Sequence, residues 1–281
     1  MMGTGGLIGW LEEGQVTSCS TAVDVYGEAT VGGLIGEMVG ADIACCSSSG
    51  RVRGGGRTGG LIGVAQFWDY PVGVHENKPQ NITDPGSIRC CRSDCSVIDG
   101  ETAGGLIGHV FGTGKVEDCY ASGSVSGKLM AGGLVGERWD SCIVRCYSAG
   151  RVMAAESTGG FIGNSECPID VNAPAQGPTC QLIVESVPPA VSASGEIAKG
   201  TQWRVAFRPA IVSCFWDEEA STVMKSFGSG GDAQDGVHSL TTAQMRTMEA
   251  FRNFAWDFEN VWMICEGKDY PRLRWEGVRC P

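Results

Sequence analysis

Apart from cysteine, the side chains of this chain that could do chemistry are few and scattered. Three histidines stand at His75, His109 and His238, far apart and outside any H-E-x-x-H pattern, so they do not make the zinc-binding helix of a zincin. Carboxylates cluster at Glu12-Glu13 and at Asp217-Glu218-Glu219. Adjacent residues on a strand point to opposite faces, so neither cluster supplies an acid and a base to one bond. The densest mixed group is Trp68, Asp69, Tyr70, His75, Glu76 and Asp84. It combines groups for acid–base work with rings on which a sugar could stack. Trp10 and Trp139 add two further rings. Trp68, Tyr70, Asp69, Trp10 and Trp139 are therefore the ligand-binding candidates, and no residue is assigned as catalytic. The sequence holds no G-x-S-x-G, no Walker loop and no calcium-binding nonapeptide series, and it implies no cofactor.

Cysteine is abundant, with 14 residues. In an extracellular chain this number suggests disulfides, and the candidate pairs are Cys45–Cys90, Cys167–Cys180 and Cys265–Cys280. No C-x-x-C pair occurs, so no metal site is expected. Six other cysteines obey a different logic, set by the elements that must position them.

Those elements repeat. Gly-Gly-Leu-Ile-Gly occurs at 5–9, 32–36, 59–63 and 104–108, then as Gly-Gly-Leu-Val-Gly at 132–136 and Gly-Gly-Phe-Ile-Gly at 159–163. The spacings are 27, 27, 45, 28 and 27, and 45 is 27 plus an 18-residue insertion. An aliphatic column follows each pentapeptide (Val16, Ile43, Ile88, Val116, Ile143), with a cysteine three positions later: Cys19, Cys46, Cys91, Cys119 and Cys146. Ile211 and Cys214 keep that offset after a longer excursion. A valine column closes the unit at Val25, Val52, Val97, Val125 and Val152.

Short apolar pieces between glycine-rich corners are strands and turns, since Gly-Gly in every unit would break a helix. One unit cannot bury its own apolar face, so neighbours must stack. The expected fold is an all-β parallel β-solenoid, or β-helix, of about six 27-residue rungs. Leu7, Leu34, Leu61, Leu106, Leu134 and Phe161 should form one interior ladder and the six-cysteine column another, all within a single continuous core. The glycines are expected where the chain turns sharply, adopts positive φ or meets the next rung.

The array is expected over 1–216, with insertions at about 67–86 and 164–208. The second insertion carries two strand-like runs, Leu182–Val187 and Trp203–Phe207. Residues 217–281 read as a small α/β C-terminal cap over the open end of the solenoid. Its one short helix falls at 241–253, where Thr241 and Gln244 have capping-box spacing. The first residues lead straight into a repeat, so the N-terminal edge is expected to continue into further repeats or to meet a partner chain.

Charge and hydropathy narrow the function. The net charge is −11 over 281 residues, which gives no electrostatic footprint for nucleic acid. No apolar stretch approaches the ~20 residues of a membrane span.

The pentapeptide followed by Val-x-x-Cys-Tyr-x-x-Gly-x-Val, clearest at 116–125, resembles the GLUG repeat. That family of bacterial secreted and surface proteins includes adhesin-like chains and accessory regions of immunoglobulin-A-specific metallopeptidases. The resemblance covers about residues 3–163 and the return at 211–216. It implies an extracellular or cell-surface scaffold, and a peptidase of this kind would need its zinc site in a separate domain. The favoured expectation is a non-enzymatic, cysteine-rich surface module acting as a rigid spacer or adhesive scaffold, with surface glycans or another protein as partner. The alternative is a carbohydrate-binding or polysaccharide-active β-helix that uses the first insertion.

Overall fold

Each repeat winds through short strands around one turn of a coil, because its apolar residues come in small groups between glycines and polar corners. The computed structural model describes residues 3–67, 73–75, 85–166, 181–187, 202–208, 210–230 and 236–280, with backbone alone for 73–75, 181–187 and 202–208. Equivalent strands of successive turns pair in parallel, and the fold is an all-β parallel β-solenoid of about six rungs with very little helix. The register follows the repeat. Val16, Ile43, Ile88, Val116, Ile143 and Ile211 are direct partners up one sheet. Ile8, Ile35, Ile62, Ile107, Val135 and Ile162 are partners up another, the post-glycine sheet.

Burial follows the columns except on the first rung. Leu34, Leu61, Leu106, Leu134 and Phe161 are fully buried, whereas Leu7 is 53% exposed. Leu7 keeps its place in the stack, donating its N–H to Leu34 O at 2.9 Å, but it lies on the first rung and only one of its sides is covered. Cys19, on the same rung, is likewise only partly buried.

The interior is also not one core. The leucine, isoleucine and cysteine columns form the main core, while Val25, Val52, Val97, Val125 and Val152 form a second one with Val31, Ala103, Ala131 and Cys95. Between the two, hydroxyls bond the carbonyl of the second glycine in three of the repeats: Thr21 to Gly33, Ser48 to Gly60 and Ser148 to Gly160, at 2.7–2.8 Å. Buried carbonyls need such partners, and the seam is polar there, whereas Ala121 takes the equivalent place in another rung.

The pentapeptide glycines serve close approach and not left-handed backbone. A Cβ on Gly33 would stand 2.0 Å from Gly60 O, and one on Gly32 would stand 1.9 Å from Ile35 O. Positive φ falls on glycines elsewhere, as at Gly14, Gly40, Gly86 and Gly112, and at one corner on non-glycine residues: Ser18, Cys45, Cys90, Asp118, Arg145 and Ser213. Each directly precedes a column cysteine, and this placement explains the cysteine. The left-handed residue turns its own carbonyl off the stack, as Cys90 O and Ser213 O show by accepting indole N–H groups from outside. The next backbone N–H therefore lacks a carbonyl, and the sulfur of the following rung takes its place. Cys46 N donates to Cys91 Sγ at 3.4 Å, Cys91 N to Cys119 Sγ at 3.3 Å, Cys119 N to Cys146 Sγ at 3.4 Å, and Cys146 N to Cys214 Sγ at 3.4 Å. Each thiol then donates to the carbonyl two residues earlier in its own rung, as Cys119 does to Glu117 O at 3.1 Å. A small apolar group with both a weak donor and a weak acceptor is what this buried corner requires.

Parallel pairing continues past residue 216. Phe227–Gly230 pairs with Ile162–Glu166, and Val237–Leu240 pairs with Cys214–Asp217, so a shortened rung covers the last full one. Those two strands cover the end where the cap was expected, and the segment after them lies along the flank. Three indole N–H groups fasten it to the left-handed corner: Trp275 to Cys90 O, Trp262 to Asp118 Oδ1 and Trp256 to Ser213 O, at 2.8–3.0 Å. Tyr120, Tyr147 and Phe215, which follow the column cysteines, pack with Met245, Phe251, Trp256, Trp262 and Leu273 into an aromatic cluster.

The helix expected at 241–253 is replaced by two 3-10 turns, Gln244–Arg246 and Met248–Phe251. Thr241 and Gln244 do make the reciprocal capping bonds. Thr247 is extended, however, and the break turns Met245 and Phe251 into the aromatic cluster. Among the described residues the α-helix is the four-residue Glu218–Ser221, capped by Asp217.

Cys265 and Cys280 are joined by a disulfide, and Cys142 is also disulfide-bonded. Cys45 and Cys90, a candidate pair from sequence, are both free. Stacked rungs hold equivalent side chains parallel at ~4.8 Å, wider than the ~3.8 Å Cβ separation a disulfide prefers. Cys167–Cys180 lies outside the described residues.

Replacing the sulfur at the corner should therefore cost more than replacing one outside it. Cys119→Ala leaves the Cys91 N–H unpartnered, while Glu117 O loses the thiol and keeps only its bond from Cys90 N, and should lower unfolding stability by about 2 kcal/mol. Cys45→Ala should change it by less than about 0.5 kcal/mol. Urea denaturation of both variants checks the contrast, and equal costs would remove the role given to the interior thiols.

Candidate functional site

The outward side of the post-glycine sheet gathers the functional groups that the described residues offer. On each strand the isoleucine or valine and the residue three places on face the core, as Ile107 and Val110 do. His109 and Phe111 lie on the other side, their rings 5.0 Å apart. Register then builds two columns. One runs Trp10, Glu37, Val64, His109, Glu137, Asn164 and Ser229. The other runs Glu12, Val39, Gln66, Phe111, Trp139 and Glu166.

His109 is the centre of this face. Its ring meets Trp139 edge-on at 5.4 Å, and its Nδ1 stands 4.0 Å from Glu137 Oε2. The imidazole is 4% exposed, and neither ring nitrogen has a hydrogen-bond partner. Burial first, and the Arg57 guanidinium second, lower its pKa to about 4. It is therefore a neutral imidazole at physiological pH. Burial likewise raises the carboxyl of Glu37, an effect that Arg57 partly offsets. Beyond Glu137, Asn164 Oδ1 accepts from Ser229 Oγ at 2.8 Å. Chemically, the face offers carboxylates, an amide, a hydroxyl and two exposed indoles. That is a hydrogen-bonding and stacking surface, with its imidazole shielded from solvent.

The sequence candidates divide accordingly. Trp10 and Trp139 are both on this face, 43% and 42% exposed, but four strand steps apart. At ~4.8 Å per step that is roughly 19 Å, so they form two platforms instead of one. Trp68, Asp69 and Tyr70, with Glu76 and Asp84, lie outside the described residues. His75 ends the strand Gly73–His75, which pairs antiparallel with Gln202–Arg208; that strand pairs in turn with Gln181–Val187. The two insertions thus share one small sheet, and both leave the coil beyond the same column, after Gln66 and after Glu166.

The acidic clusters do not converge. Asp217 is fully buried, capping Glu218–Ser221 and accepting from Thr242 and Tyr270. Glu12 and Glu13 are exposed on the first rung. Among the described residues, no group of three or more His, Cys, Asp or Glu is placed to hold a metal ion. The pairing of His109 with Glu137 was missed by reading along the chain. Both stand three places after the leucine of their pentapeptide, so aligning the repeats would have found it.

Comparison with known proteins agrees with this architecture. Residues 99–126 match the GLUG motif. The chain is similar in fold to a solved structure described as a candidate immunoglobulin A1 protease from Bacteroides ovatus. The two are 17% identical, with 95% of this chain and 75% of that one covered, at a TM-score of 0.51. None of the curated proteins matches this chain.

The shielded imidazole sets a pH dependence. An unfolded histidine titrates near 6.5 and His109 near 4 in the folded state, so between those values the unfolded chain binds a proton that the folded one does not. His109 should therefore weaken the fold progressively as pH falls from about 6.5 to 4, by on the order of 3 kcal/mol in all, with no further loss below. Thermal melts across this range should be flatter for His109→Leu than for the wild type. Parallel curves would show that the ring titrates alike in both states.

Proposed function

We propose that this GLUG-bearing solenoid is a non-enzymatic module of a secreted or surface protein, a rigid spacer whose outer post-glycine face adheres to a partner. The observation that carries this reading is the unbroken hydrogen-bonded stack. From Leu7 to Phe161 each pentapeptide leucine or phenylalanine meets the next, and every intervening column is committed to holding rung on rung. A chain so built resists bending, and its outer faces remain free to vary. The likeness to a structure described as a candidate immunoglobulin A1 protease supports this setting.

Carbohydrate binding is the second reading, and the two exposed indoles favour it. Trp10 and Trp139 present large rigid faces beside carboxylates, the chemistry by which sugars are held. A polysaccharide-active version would draw its acid and base from Asp69, His75, Glu76 and Asp84 of the first insertion.

Glycan-array and intact-cell binding by the wild type, Trp10→Ala and Trp139→Ala separates these readings. The adhesive reading expects saturable binding that falls at least tenfold in one or both variants, with unchanged melting. Turnover of a polymer would replace it with the enzymatic alternative. Absence of any binding would leave the spacer alone.

A further inference from the structure

Two cysteine columns run side by side at the left-handed corner, and their sulfurs do different work. The inner thiols are engaged on both sides by backbone groups. The outer pair, Cys45 and Cys90, is free and half-buried. The two stand on adjacent rungs, because Ala44 and Arg89 are direct strand partners and Cys45 N donates to Arg89 O at 3.1 Å. On the next rung the carboxylates of Glu117 and Asp118 are taken up in ion pairs with Arg145, and Glu117 also with Lys115, so neither competes for the two thiols.

The spacing that disfavours a disulfide here suits a different bond. Rungs repeat at ~4.8 Å. Two metal–thiolate bonds of about 2.3 Å placed end to end span about 4.6 Å, with the parallel side chains needing almost no adjustment. Backbone bonds already fix both cysteines in place, so little ordering is required on binding. Two thiolates without nitrogen or oxygen ligands select a soft, low-coordinate ion. We propose that Cys45 and Cys90 form a two-sulfur clamp for copper(I). Binding exchanges two S–H bonds for two S–Cu bonds. Both protons go to solvent, and no electron moves, copper entering and remaining as Cu(I). The indole of Trp275 stands beside the clamp, its Nε1 donating to Cys90 O at 2.8 Å, and reports on occupancy.

The test uses the full chain, reduced and free of oxygen, titrated with Cu(I) against a chromogenic Cu(I) chelator. The wild type should retain one equivalent with two sulfur neighbours by X-ray absorption, and tryptophan emission should be quenched in the wild type and not in a Trp275→Phe variant. Cys45→Ser and Cys90→Ser should each lower the affinity at least tenfold, while Cys19→Ser should not. Serine fits this corner, since Ser18 and Ser213 occupy it with the same left-handed backbone, and circular dichroism verifies that both variants fold. Copper retained equally by Cys45→Ser, a wild type stripped by the chelator, or a Cys45–Cys90 disulfide recovered after titration would each overturn the assignment.

Discussion

The structure depends on the way one backbone amide is satisfied at each turn of the coil. The coil must bend at a corner, and a left-handed residue makes the bend. That residue withdraws a carbonyl from the stack and leaves the next N–H inside it, shielded from water. An unpartnered buried amide costs as much as a lost hydrogen bond, so a neighbouring rung must supply an acceptor there. The cysteine sulfur does so, while its thiol proton returns to a carbonyl of its own rung. The other columns could exchange one aliphatic residue for another. This one fixes the residue type, and with it the 27-residue register.

Much of this was legible in the sequence, because a solenoid writes its third dimension as a period. Rung spacing, parallel pairing and the ladders from Leu34 to Phe161 follow from the pentapeptide alone. What escaped was whatever the period does not carry. Leu7 belongs to its column and is nevertheless exposed, since burial is decided by the neighbouring rung and not by the residue. The valines near the end of each repeat look interchangeable with the other apolar columns, yet Thr21, Ser48 and Ser148 divide them off into a second core. Residues 241–253 carry helical spacing and real capping bonds, and tertiary packing still breaks them into 3-10 turns so that Met245 and Phe251 can reach the aromatic cluster. On the candidate face, Trp10 and Trp139 were visible as rings. The nearness of His109 and Glu137 was encoded by two numbers equal modulo the repeat.

The same corner links scaffold and surface. Carbonyls turned out of the stack at Cys90 and Ser213, and the Asp118 side chain, receive the indoles of the C-terminal segment. Glu276 adds a hydrogen bond from Tyr120 at 3.0 Å and an ion pair with Arg92 at 3.1 Å, and the Tyr147 hydroxyl donates to Pro271 O at 2.6 Å. A local defect of the coil, repeated at each rung, has become the attachment line for the tail. The described strands of the two insertions pair with one another in a small sheet of their own.

The tail does not grip the rungs evenly. Among the described residues its hydrogen bonds and ion pair join the turns that carry Cys91, Cys119, Cys146 and Cys214, not the corner residues Ser18 or Cys45 of the first two. Nearest-neighbour stacking alone would let a linear array fray from both extremities. The strap thus sorts the turns into two kinds, those held from the side as well as by their neighbours and those held by their neighbours alone.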